Sequence, residues 1–169
     1  MSPTFAIYRI LCSTPPDLEP ERLAFEACNA QFAEKVSMPD GVLFAAASFR
    51  PPFLSDRHAA AVESNIRMCD FFLQIFGEWQ PRPDYAGFVD LALECLADPA
   101  MPMRQVAVLF RNPSKADPQM RQLQETLSAA GQCEVGEFCD QPDLEARVQG
   151  ILAGWYSGVS APGNPDRSR

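Results

Sequence analysis

Histidine is almost absent from the sequence. His58 is the only one, and the six cysteines (Cys12, Cys28, Cys69, Cys95, Cys133 and Cys139) include no Cys-x-x-Cys pair. A structural zinc site needs about four soft ligands at recognisable spacing, so no metal is expected. Cys12 ends an apolar run just before a helix start, where a thiolate would be stabilised, but no second histidine exists to activate it. The thiols therefore read as free, mostly buried small hydrophobes. Glycine is missing from the segment Cys12-Ser13-Thr14-Pro15-Pro16-Asp17, which follows the first apolar run. A Rossmann or P-loop cradle needs glycine there so that the backbone can approach phosphate, so neither kind of nucleotide cofactor is expected.

Basic residues are outnumbered, 14 against 22 acidic, for a net charge of -8. That balance repels a phosphate backbone and an anionic lipid surface, which argues against nucleic-acid and membrane partners. No apolar run approaches the roughly 18 residues that span a bilayer. The first one, Phe5 to Cys12, is interrupted by Arg9 and has no basic leader, so a cytoplasmic protein is expected.

What is present is a globular composition, 47% apolar and 21% charged in 169 residues. One α/β domain is expected over residues 1–157. Residues 158–169, rich in Gly, Pro and Ser with little to bury, are expected to form a disordered tail. Five apolar runs read as strands: Phe5 to Cys12, Val42 to Phe49, Phe71 to Phe76, Gln105 to Phe110 and Cys133 to Cys139. The third and fourth are nearly continuous rather than alternating, as strands covered on both faces are.

Helical stripes separate the strands. The first helix is expected near Asp17, acting as cap, with Phe25, Cys28, Phe32 and Val36 on one face. A second begins at Ser55 or Asp56 and carries Ala59, Val62, Ile66 and Cys69; a third follows Pro83 with Tyr85, Phe88, Ala92, Cys95 and Leu96. In the fourth, Asp117 caps, Pro118 takes the first helical position and Gly131 stops the chain. The fifth starts at Pro142 and turns Leu144, Val148, Ile151, Leu152 and Trp155 inward. Five strand-helix units joined by right-handed crossovers predict a flavodoxin-like three-layer sandwich with a mainly parallel sheet of order 2-1-3-4-5.

Such sheets bind ligands at the carboxyl ends of the strands where the order reverses, here between the loops after strands 1 and 3. The first of these offers the hydroxyls of Ser13 and Thr14, either as ligand contacts or as turn and cap formers. The second, Gly77-Glu78-Trp79-Gln80-Pro81-Arg82-Pro83-Asp84-Tyr85, gathers acid, indole, guanidinium and phenol. Trp79 and Tyr85 either stack on a base or pack down on the third helix. Glu78 and Asp84 either hold sugar hydroxyls, act as acid, base or nucleophile, or are simply solvated.

Two segments carry a family resemblance. Ser13-Thr14-Pro15-Pro16-Asp17-Leu18-Glu19-Pro20-Glu21-Arg22 is similar to the Ser-Thr-x-x-Asp-Leu-x-x-Glu-Arg opening of the bacterial domain of unknown function 4062 family. Cys69-Asp70, the strand Phe71 to Phe76 and Gly77 resemble a second segment of that family. The likeness spans roughly residues 5 to 112. It implies a fold related to nucleoside 2-deoxyribosyltransferases and Toll/interleukin-receptor-like domains, a nucleoside-shaped crevice, and a place in signalling or defence. The partners so implied are a nucleoside-like small molecule and, for such a module, another protein or a second copy of the chain.

In the deoxyribosyltransferases a glutamate in the helix after strand 3 attacks the sugar. Here Gly87 occupies that place if Asp84 aligns with the hydroxyl residue of the pattern, and a shifted register would bring in Asp90. Two expectations follow from the resemblance and the residues together. The first is a non-catalytic ligand-sensing or interaction domain. The alternative is an enzyme that cleaves an N-glycosidic bond in a nucleoside or NAD through Asp90, Glu78 or Asp84 with Tyr85 assisting, while Ser13, Thr14, Gly77, Trp79 and Arg82 bind the ligand.

Overall fold

The computed structural model describes residues 4–48, 56–79 and 83–160. Five parallel strands, β1 (Ala6–Ser13), β2 (Val42–Ser48), β3 (Phe71–Phe76), β4 (Gln105–Arg111) and β5 (Glu134–Phe138), form one sheet of order β2-β1-β3-β4-β5. This is the flavodoxin-like topology expected from the apolar runs. Helices α1 (Glu19–Phe32), α2 (Asp56–Met68), α3 (Pro83–Ala97), α4 (Pro118–Ala130) and α5 (Gln141–Ser160) alternate with the strands.

The continuous apolar strands are continuous because both faces are covered. All six residues of β3 are buried. Phe71, Leu73 and Ile75 face one core with Phe25 of α1 and Trp155 of α5, whereas Phe72 and Phe76 face the other with Ile66 of α2 and Phe88 of α3. Trp155 stacks on Phe71 at 4.8 Å between ring centroids. So α1 and α5 cover one side of the sheet, and α2, α3 and α4 the other.

Local chemistry decides the helix ends. The Asp117 side chain accepts from Gln119 N at 2.8 Å, Pro118 opens α4, and Gly131 ends it at φ 64°, a left-handed conformation that glycine adopts without strain. Asp17 does not cap α1: it sits in a short 3-10 turn, Pro16–Leu18, and α1 starts after Leu18 without a side-chain cap. Beyond Phe32 the backbone widens into a π turn, Ala33–Ser37, which shifts the phase of the helical stripe. Val36 is consequently exposed while Ser37 is buried. Helix α5 continues through Ser160 with Val159 in the core, past the expected boundary at residue 157, because Val159 extends its inward stripe. The tail, 161–169, lies outside the described residues. Among the described residues no helix is long and apolar enough to cross a membrane.

Candidate functional site

Parallel strands place all five carboxyl ends on one edge of the sheet, together with the amino ends of α1 and α5. A cavity of about 280 Å³ opens there on the α1–α5 side. Its polar wall comes from Glu21 in the first turn of α1, Glu78 after β3, Arg111 and Asn112 at the end of β4, and Asp140 after β5. Pro20, Phe138 and Leu144 supply its apolar wall.

Arg111 organises this group. Its Nη1 donates to Glu21 Oε1 at 2.6 Å, across 90 residues of chain, and its Nε stands 3.8 Å from Glu78 Oε1. Asn112 adopts φ 45°, a left-handed conformation that asparagine tolerates better than most residues, and its side-chain amide donates to Glu78. Two backbone bonds hold the frame: Asp117 N to Glu78 O at 2.8 Å and Asn112 N to Phe138 O at 2.9 Å. Gly77 borders the same group, since a Cβ there would meet Leu18 at 3.4 Å and Arg111 Nη2 at 3.7 Å. With Glu21 Oε1 engaged, Glu21 Oε2 is left buried with no hydrogen-bond donor from the protein.

A second polar cluster lies at the ends of β1 and β2. Arg22, almost wholly buried, bonds Glu19 at 2.8 and 3.1 Å, Glu26 at 2.5 Å and Ser48 Oγ at 3.2 Å. Cys12 lies beneath it. Burial pushes its thiol well above the ordinary range, Glu26 adds to the rise, and Arg22 only partly opposes them. Cys12 is thus a neutral core residue, as expected of a buried small hydrophobe. Cys69 is likewise pushed up to about 12, first by burial and then by Asp70.

Of the residues singled out in the sequence, Glu78 lines the cavity and Gly77 adjoins it. Ser13 and Thr14 are buried at the end of β1, and Ser13, in register with Gln74 of β3, points to the α2–α3 face. Tyr85 is buried on that face, edge-on to Phe88 at 5.6 Å. Trp79 is 74% exposed and does not pack down on α3. Asp84 and Asp90 are on the exposed surface of α3, across the sheet from the cavity. Arg82 lies outside the described residues.

Among the described residues, Glu78 is the member of the expected set that lines this cavity, with Gly77 beside it. The structure groups Glu78 with Glu21, Arg111 and Asn112, which the sequence alone does not single out. Glu21 belongs to the Glu-Arg end of the first resemblance segment, and Arg111-Asn112 directly follows a continuous apolar strand. Polar residues at that position of a parallel strand are the signal that would have found them. Asp70, at the start of the second resemblance segment, serves a structural purpose at the opposite edge: it accepts from Arg9 N at 2.8 Å and ion-pairs with Arg104 at 3.7 Å. Among the described residues no group of three or more His, Cys, Asp or Glu side chains is arranged to hold a metal ion. In comparisons with known proteins, no family model and no curated protein matches the chain.

Proposed function

We propose that this domain is a non-catalytic small-molecule sensor, or ligand-gated interaction module, on a scaffold like that of the nucleoside 2-deoxyribosyltransferases, with its ligand in the cavity beside Arg111. The observation that carries this reading is the buried, unmatched Glu21 Oε2 in the wall of a cavity at the carboxyl edge of the sheet. A buried acceptor without a donor is unfavourable by about 1–3 kcal/mol, and a hydroxyl or amine of a ligand would relieve it. At about 280 Å³ the cavity is near the low end for ligand pockets, roughly 300 Å³, which suits a nucleoside-sized molecule better than an intact dinucleotide. Absence of turnover is favoured because Glu21 and Glu78 both face Arg111, where their charge is compensated rather than free to attack a sugar.

The alternative, N-glycosidic cleavage, draws support from one feature: two carboxylates, Glu21 and Glu78, share the cavity. Glu78 would then be the nucleophile or general acid, with Glu21 as its partner. A thermal-shift series with nucleosides, combined with an assay for base or nicotinamide release, separates the two readings. A ligand at 100 times its dissociation constant stabilises the fold by about 2.7 kcal/mol. At roughly 2–4 °C per kcal/mol for a chain of this size, that is a readily measured shift. Stabilisation without release supports the sensor, and release abolished by Glu78→Gln supports the enzyme. No response to any nucleoside sinks both.

A further inference from the structure

The cavity is electrically lopsided. Three carboxylates, of Glu21, Glu78 and Asp140, stand in its wall against the single guanidinium of Arg111. That guanidinium is already engaged by Glu21 at 2.6 Å and faced by Glu78 at 3.8 Å, so an incoming anion would have to draw it away from two carboxylates. The amino end of α5 gives an anion no better foothold. Asp140 Oδ1 accepts from Asp143 N at 2.9 Å, and Asp143 Oδ2 accepts from Cys139 N at 3.0 Å, so carboxylates already occupy the place where a phosphate would bind. The Asn112 amide is directed to Glu78.

What the wall leaves over is of the other kind. Glu21 Oε2 is an acceptor without a donor, and Arg111 Nε, beside Glu78, makes no hydrogen bond. A hydroxyl group both donates and accepts, so it can answer either kind of atom, whereas a phosphate dianion can only accept. Building on the sensor reading above, we infer that the cavity selects its ligand by charge: it takes an uncharged, hydroxyl-bearing molecule such as a free sugar or nucleoside and rejects the phosphorylated form of the same molecule.

Matched pairs test this directly: ribose against ribose 5-phosphate, and adenosine against adenosine 5′-monophosphate. Each is titrated calorimetrically and followed by the backbone amide resonances of Glu21, Glu78 and Asn112. The unphosphorylated member of at least one pair should bind about ten-fold or more tightly than its partner, because like charges are juxtaposed only in the phosphorylated complex. The gap should narrow on going from about 0.1 M to 1 M salt, over which the screening length falls from about 10 to 3 Å. Asp140→Asn should narrow it too, since asparagine retains the capping acceptor while losing the charge. Glu21→Gln should weaken the unphosphorylated member.

Equal or tighter binding of the phosphorylated members, or a gap indifferent to both salt and Asp140→Asn, overturns the charge selection while leaving the binding site standing. If no member of either pair shifts the cavity resonances, the sensor reading fails and this inference with it.

Discussion

Replacing Gln74 by methionine should make the protein more stable. Gln74 is fully buried in β3, on the face that it shares with Phe72 and Phe76, flanked in register by Ser13 of β1 and Val108 of β4. Its Nε2 donates to Ile75 O at 3.1 Å, but its Oε1 has no donor from the protein. Removing that stranded acceptor is worth about 1–3 kcal/mol, against about 0.5–1.5 kcal/mol for the lost Nε2 bond. Methionine is close in length and flexible, so it fills the site with little strain and adds apolar burial. The balance is a gain of about 1 kcal/mol, or roughly 2–4 °C in Tm. Urea unfolding should show a higher midpoint at unchanged slope, which marks a change in stability rather than in compactness. A loss of more than about 1 kcal/mol in Gln74→Met would refute the reasoning, because it would mean that Oε1 is satisfied in solution and the side chain belongs to a complete polar network.

Further outcomes follow from the same structure. Stability should fall as pH rises above about 9: the Cys12 and Cys69 thiols lose their protons near 9.0 in the unfolded chain and are raised in the folded one, Cys69 to about 12. Within that window each thiol contributes a slope of about 1.4 kcal/mol per pH unit, and Cys69→Ala should flatten the measured stability-pH curve even if it lowers the curve as a whole. Thiol titration should find six groups in denatured, non-reduced protein but only Cys139 reacting quickly in the native state, since it is the exposed one; four or fewer in the first measurement would point to disulfides. Asp117→Ala should cost about 1 kcal/mol in chemical denaturation by removing the bond to Gln119 N at the start of α4, and no loss would show that the cap is idle. Gly136→Ala should cost about 1–3 kcal/mol, because its new Cβ would stand 2.8 Å from Leu109 Cδ2 in the core; an unchanged Tm would show that Leu109 gives way freely.

The sequence by itself determined the layers of this protein, because that information is short-range. The run Phe71 to Phe76 has an apolar side chain at nearly every position, which only a strand covered on both faces can bury. Asp117, Pro118 and Gly131 mark both ends of α4 through bonds and dihedrals spanning a few residues. Alternation of such units with right-handed crossovers then leads to the order 2-1-3-4-5. Even the outward position of Asp90 is implicit in the inward stripe Tyr85, Phe88, Ala92 and Cys95, since one helix cannot turn both sets to the core.

The tertiary structure alone decided which polar groups meet. Nothing local relates Glu21 to Arg111, 90 residues apart, or tells Asn112 to reach Glu78. Their meeting depends on how the helices lie over the twisted sheet, which brings Glu21 and Glu78 to the ends of β4 and β5 on the α1–α5 face. It also decided that Val36 turns outward and Ser37 inward, because a π turn changed the helical phase that a constant 3.6-residue repeat assumes. Periodicity carries the direction of a side chain relative to its own element. The partner it finds there is set by elements distant in the chain.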